Sequence, residues 1–264
     1  MLTTIQLRNF RCFTSLSVEF APGTNLICGA NAQGKTSVLE AVCALLRLQS
    51  PRSSTLTRAI RHEAKGFVLD GFFRSTHLQF YFGRERKKLA LDSVEQKTSA
   101  AWLELARVVY FANQDIAIVR GPAEHRRAFL NFVAPQLDPQ YRHDLRAFEK
   151  ALRSRNHLLR APLPKWREIS AFDAPLADSG QRIIDARRSL VESLQLSASV
   201  AMGAISASAE ELRVEYVCGA GGSLREALAA SPDEDLRLRT TTQGPHRDDL
   251  AFFVNDQPIE FASE

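Results

Sequence analysis

The eight residues Gly29-Ala30-Asn31-Ala32-Gln33-Gly34-Lys35-Thr36 constrain this chain more than any other stretch, because they complete the spacing G-x-x-x-x-G-K-[ST]. Its glycines let backbone N–H groups curl inward around a phosphate chain. Lys35 supplies a point charge for β- and γ-phosphate oxygens, and the Thr36 hydroxyl is a ligand for Mg²⁺. Chance produces the pattern in about one chain in a hundred of this length. The flanks sharpen the reading. Asn25-Leu26-Ile27-Cys28 predicts a short buried strand entering the loop, and Val38, Leu39, Val42, Leu45 and Leu46 fall at helical spacing behind it. Strand, loop and helix together aim a helix N-terminus, with its partial positive charge, at an anion. The expectation is a nucleoside triphosphate site.

Composition bounds the rest. With 264 residues, 45% hydrophobic and 24% charged, the chain is long enough for one large or two modest globular domains. The longest bland apolar run, 196–209, falls short of the ~20 residues that span a bilayer. The N-terminus alternates like a strand, without the apolar core of a signal peptide. Cys12, Cys28, Cys43 and Cys218 lack metal-type spacing and read as reduced thiols of a cytoplasmic protein. Net charge is only +4, but residues 120–190 hold twelve Arg and two Lys against eight Asp and Glu. A polyanion-binding surface and a solvated helical face fit that imbalance equally well.

Period-two alternation marks strands at 5–7 and 16–20, then at 66–73, 77–82 and 89–91, with Arg84-Glu85-Arg86-Lys87-Lys88 as an exposed basic turn. From Gly121-Pro122 the period becomes helical. Asp138-Pro139 signals a second helix start, Pro162 and Pro164 end that helix, and a third helical segment runs over about 174–209. β-character returns at 212–217, 235–241 and 250–254. Asn255-Asp256 suits a hairpin turn toward 259–261. Phe67-Val68-Leu69-Asp70 has the form of a strand ending in a metal-holding acid, as a small-molecule kinase needs. Its flanking glycines favour an ordinary sheet residue instead. No N-K-x-D run reads guanine.

Five blocks in order carry a family resemblance. Leu7-Arg8-Asn9-Phe10-Arg11 and the 29–36 loop with Leu39-Glu40-Ala41 open it. Residues 108–115, with Val119-Arg120-Gly121 and Arg126-Arg127-Ala128-Phe129-Leu130, continue it. The run 144–159 follows, and Gly244-Pro245-His246-Arg247-Asp248-Asp249-Leu250 with Phe261-Ala262-Ser263 closes it. The chain resembles the RecF family, relatives of the SMC and ABC-type ATPase heads. That resemblance implies an α/β P-loop ATPase lobe split in sequence by an inserted helical lobe, with 1–120 and 211–264 in the ATPase lobe and 121–210 inserted. It implies ATP with Mg²⁺ as cofactors and an ATP-cemented homodimer on single-stranded and gapped double-stranded DNA. RecR- and RecO-like partners, gap repair, the SOS response and recombinase loading come with it.

By the same resemblance, Gly29 to Thr36 hold phosphates and Thr36 the metal. Arg11 either contacts nucleotide or forms a salt bridge. Gln114 sits where a γ-phosphate sensor belongs, and Ser263 is the signature serine facing the partner's loop. Arg126, Arg127, Arg153 and Arg155 are candidate DNA contacts, although helical arginines are commonly solvated or paired. Three departures stand out. Ala32 replaces a glycine, which is harmless if that position needs no positive φ. Gln114 replaces a frequent Glu. The chain stops one residue past Ser263, before the Walker B acids, so an ATPase lobe short of its C-terminal part is expected, with slow DNA-stimulated hydrolysis belonging to the complete protein. Two rivals remain, a binding-only scaffold and a P-loop kinase.

Overall fold

A computed structural model describes residues 1–53, 55–207 and 210–259 and divides into two compact units, 1–111 and 112–264. The first unit is built on β1 (Leu2–Phe10), whose inward positions Leu2, Ile5, Leu7 and Phe10 are buried. It is flanked by β2 (Phe13–Glu19) and β3 (Gly66–Phe73), with Leu7 opposite both Leu16 and Leu69. β4 (Thr76–Gly83), β5 (Lys87–Leu91) and β6 (Val94–Glu95) extend the sheet, every pairing antiparallel. The basic run 84–88 spans the turn between β4 and β5, as its composition predicts.

Helix α1 (Lys35–Arg47) lays its apolar face on this sheet, where Ala41, Ala44 and Leu45 join Ile5, Leu7, Phe67, Leu69 and Phe80 in one core. The approach is close. A Cβ on Gly71 would stand 2.5 Å from the Thr4 carbonyl oxygen and 3.0 Å from Leu45 Cδ2. Behind α1, α2 (Ala100–Glu104) is pinned by polar bonds that apolar periodicity does not reveal. The Trp102 indole N–H donates to the Leu45 carbonyl at 2.7 Å. Buried Arg47 donates to the carbonyls of Leu103 and Ala106, both at 2.7 Å.

The second unit is helical around a small sheet. It contains α3 (Ile116–Arg120), α4 (Ala123–Leu137), α5 (Pro139–Leu159), α6 (Trp166–Ser170) and α7 (Asp173–Ile205). β7 (Leu212–Val217), α8 (Leu224–Ala229), α9 (Pro232–Leu238), β8 (Asp249–Val254) and β9 (Gln257–Pro258) complete it. The α5 N-terminus forms as its sequence signal predicts, with the Asp138 carboxylate accepting from Gln140 N–H and Pro139 in the first turn. Phe148, Ala151, Leu176, Ile183, Ile184 and Leu224 lie in its core. The β8–β9 turn is the expected Asn255-Asp256 pair, with φ 50° and 61°.

Two expected strands are absent. Asn25–Cys28 enters neither sheet, and Leu26 is 85% exposed. The Asn25 side chain bonds the backbone of Ala21 and Gly23, so a tight turn carries the chain away from β2 before a ladder can continue. Residues 235–241 are also not a strand. Pro232 at a helix start and Asp233, Glu234 and Asp235 in the first turn make 232–238 helical. Those start signals outweigh the alternation read over 235–241.

Candidate functional site

The phosphate-type loop folds around its own lysine. Lys35 Nζ donates to the carbonyls of Gly29 and Ala30, each at 2.7 Å. Three loop residues hold positive φ: Gly29 at 153°, Ala32 at 64° and Gly34 at 88°. At Gly34 only glycine fits, since a Cβ would lie 2.5 Å from Phe13 Cζ and 2.6 Å from Cys12 Sγ. The loop backbone is thereby pressed onto the turn between β1 and β2. Position 32 does use the left-handed region, so the alanine there carries a strain that a glycine would not. Helix α1 begins at Lys35 with no side-chain cap and no acidic residue in its first turn. The N–H groups of Ser37 and Val38 donate to the Gly34 carbonyl, and those of Lys35 and Thr36 are the ones left to an outside acceptor. Asn31, Gln33 and Thr36 are exposed along the same stretch.

Arg11 forms the salt bridge that the sequence offered as one alternative. Its Nε and Nη2 donate to the two carboxylate oxygens of Glu40 at 2.8 and 2.6 Å, and its Nη1 to the Arg58 carbonyl at 2.8 Å. Glu40 is fully buried on α1 and also accepts from Ser50 Oγ and Arg52. The pair therefore fastens the loop's helix to the β1–β2 turn, a role sequence reasoning did not give Glu40. The available signal was an acid amid the apolar face Val38, Ala41, Val42 and Leu45. On the same helix, the Cys43 thiol is pushed up to about 12 by burial and then by Glu40. It is an inert thiol. Asp70 accepts from Gln79 and bonds His77 Nε2. It pairs with Gln6 on the sheet face opposite α1, which removes it as the metal ligand of a kinase.

In the second unit Gln114 is exposed, within the turn Asn113–Asp115. Ser263 lies outside the described residues. Three of the four arginines proposed for DNA are internal fasteners. Arg126 holds Asp249 with two hydrogen bonds at 2.5 and 2.9 Å, and Arg127 donates to the Asp248 carbonyl. Arg155 is 0% exposed, ion-paired to Asp173 at 2.8 Å and to Asp235 at 2.7 Å, and bonded to Thr241 Oγ1. A buried guanidinium so paired reaches no phosphate backbone. Arg153 alone of the four is open, 72% exposed beside Glu149.

Arg126 and Arg127 fasten onto the run Gly244–Leu250. Buried Arg187 donates to the Pro245 carbonyl at 2.6 Å and also to Tyr141 and Asn131. Asp248 accepts from Tyr216 Oη and from Gly219 N–H. His246 bonds the Thr241 carbonyl through Nε2, while its buried Nδ1 has no partner. Burial lowers this imidazole to about 4, and Arg247 and Arg127 reinforce the shift against the Thr241 carbonyl and Asp248. For Asp249, burial is overcome by Arg126 and the Leu250 N–H, which hold its carboxyl below the usual range. The run thus ties α4 and α7 to β7 and β8, and Phe148 of α5 packs against its His246.

Residues 4–118 match the family described as an AAA domain. The chain is 31% identical to the DNA replication and repair protein RecF of Bacillus cytotoxicus, over 98% of this chain and 74% of the relative. It is 33% identical to that of Chlamydia caviae, over 100% and 75%. Solved structures of the recombination mediator protein RecF-ATPrS and RecF-ATP in the RecFOR pathway superimpose with TM-scores of 0.90 and 0.88. Both are 29% identical and cover all of this chain and 76% and 75% of theirs. With the α/β architecture of these structures and a phosphate-type loop in place, the chain belongs to the RecF family of DNA replication and repair proteins.

Proposed function

We propose that this chain binds ATP with Mg²⁺ through Gly29 to Thr36 and uses the nucleotide to govern its hold on DNA. The observation that carries this reading is the loop itself. An uncapped helix start faces a curled backbone whose lysine donates to two carbonyls of the same loop. Phosphate oxygens would take Lys35 from those carbonyls, and the N–H groups of 34–36 would gain acceptors. Thr36, exposed at the helix start, is the residue that would hold the metal, which when bound shares the charge of the β- and γ-phosphates. The similarity to RecF structures named with ATP supports the choice of nucleotide.

In the complete reading, two subunits close on ATP around DNA, with Ser263 of one facing the loop of the other and Gln114 near the γ-phosphate. Residues 1–120 and 211–264 serve that ATPase lobe, and 121–210 the inserted one. RecR- and RecO-like proteins would be its partners in gap repair, recombinase loading and the SOS response, in the cytoplasm. No helix among the described residues is long and apolar enough to cross a membrane.

The test is titration with a fluorescent ATP analogue, followed by duplex and gapped-DNA binding with and without ATP. Wild type should bind nucleotide and hold DNA more tightly with it, while Lys35→Met should lose both effects. A second reading is a binding-only scaffold whose hold on DNA does not depend on nucleotide. If DNA binding of Lys35→Met equals wild type and ignores ATP, the scaffold reading replaces the first.

A further inference from the structure

We infer that the outer face of α5 is a phosphate-contacting surface for duplex DNA, carried by Arg146, Lys150, Arg153, His157 and Arg160. The inference rests on the DNA-binding reading above and assigns it a site. At 100° per residue, these five and Arg142 fall within one narrow stripe. Tyr141, Asp144, Phe148, Ala151, Arg155 and Leu159 form the buried face on the opposite side. All five stripe residues are exposed. Against them the exposed face of α5 carries one acid, Glu149, which approaches Arg153 at 3.8 Å. The other α5 acid, Asp144, is buried and held by Arg182.

Folding does not ask for this stripe. Like charges four residues apart, as in Arg146 and Lys150 or Arg153 and His157 when protonated, cost a helix about 0.2–0.5 kcal/mol per pair. The helix dipole favours cations only in the last turn. That accounts for His157 and Arg160 but not for Arg146, Lys150 or Arg153.

At its C-terminal end the stripe opens into a depression of about 360 Å³ lined by Leu152, Arg153, Asn156, His157 and Arg160. The Asn156 side-chain Oδ1 already accepts from Thr241 N–H and Oγ1. The polar groups left to an outside ligand there are chiefly donors, as a phosphate requires. From Arg146 to Arg160 the stripe runs roughly 21 Å, a length over which duplex DNA presents about a dozen phosphates. It has no exposed aromatic or aliphatic anchor of the kind that centres a protein–protein interface. A linear array of flexible cations without such an anchor fits a backbone read without regard to sequence.

The experiment measures duplex DNA affinity of the full chain with saturating ATP, from 50 to 300 mM salt. It compares wild type, Arg146→Ala/Lys150→Ala/Arg153→Ala, and a charge-matched control, Arg188→Ala/Arg225→Ala/Arg237→Ala. The control residues already pair with Asp185, Asp178 and Glu234. Each lost phosphate contact lowers the slope of log affinity on log salt by about 0.9. The stripe variant should therefore lose about 2–3 from that slope and at least tenfold in affinity at 100 mM salt, with its helix content and ATP-analogue binding unchanged. The control should match wild type. A stripe variant that keeps the wild-type slope, or a control that falls equally, overturns the assignment. If the stripe variant keeps DNA but loses binding to poly-glutamate, the face serves an acidic protein and the assignment falls. Wild type that binds no DNA overturns the functional reading itself, and this one with it.

Discussion

Two side chains carry measurable consequences of conformation and burial. Ala32 adopts φ 64° in the loop, where an L-residue pays a steric penalty that glycine escapes. Against this stands the greater entropy glycine loses on folding. Ala32→Gly should still stabilise the first unit by about 0.5–1 kcal/mol, read by urea denaturation. Unchanged or reduced stability would mean that the alanine sits there without strain. His246 makes the opposite case, a group whose burial opposes charge. Above its ordinary value of 6.5 the imidazole is neutral folded or unfolded and adds nothing. As pH falls toward about 4, the unfolded chain takes up a proton that the folded one refuses. Stability of the second unit should then drop by on the order of 3 kcal/mol across that window. His246→Gln keeps a donor for the Thr241 carbonyl without titrating, so the difference between the two pH profiles isolates the histidine.

Among the elements, fastening by buried charge recurs. Arg155 joins α5 to α7 through Asp173 and to α9 through Asp235, and Asp235 in turn accepts from Thr242 N–H and Oγ1. Removing one partner of such a buried pair strands the other. Arg155→Met should destabilise the second unit by about 3–5 kcal/mol. Arg153→Ala, one turn fraction away and exposed, should stay within about 0.5 kcal/mol of wild type. A mild Arg155→Met would show that its carboxylates are solvated after all. This contrast also marks what the sequence could disclose. Apolar periodicity located α1, α4, α5, α7 and the hairpins of the first sheet, because burial is written in alternate or third-and-fourth residues. The same stripe left Arg153 and Arg155 indistinguishable, since an arginine's partners lie 18 to 86 residues away in α7, α9 and Thr241. Asn25–Cys28 failed for a related reason: a short run such as Leu26-Ile27-Cys28 becomes a strand only if a ladder receives it. The helix start behind the 29–36 loop was legible because its signal is local, whereas the left-handed backbone at Ala32 was not.

Taken as a whole, the molecule consists of two units with separate cores, and the phosphate-type loop belongs to the first alone. Ligand binding to a native state raises its stability by mass action, about 2.7 kcal/mol at a hundredfold excess over Kd. Two cores that unfold independently should then give two thermal transitions, with ATP and Mg²⁺ raising only the one that includes β1 to β6. Single-tryptophan variants separate the reports, since Trp102 is buried in the first unit and Trp166 lies against Arg155 in the second. In Lys35→Met the nucleotide-dependent shift should vanish while both transitions remain, which distinguishes loss of binding from loss of fold. Differential scanning calorimetry on both proteins checks this: a nucleotide-dependent shift that survives in Lys35→Met would place the ligand away from the 29–36 loop.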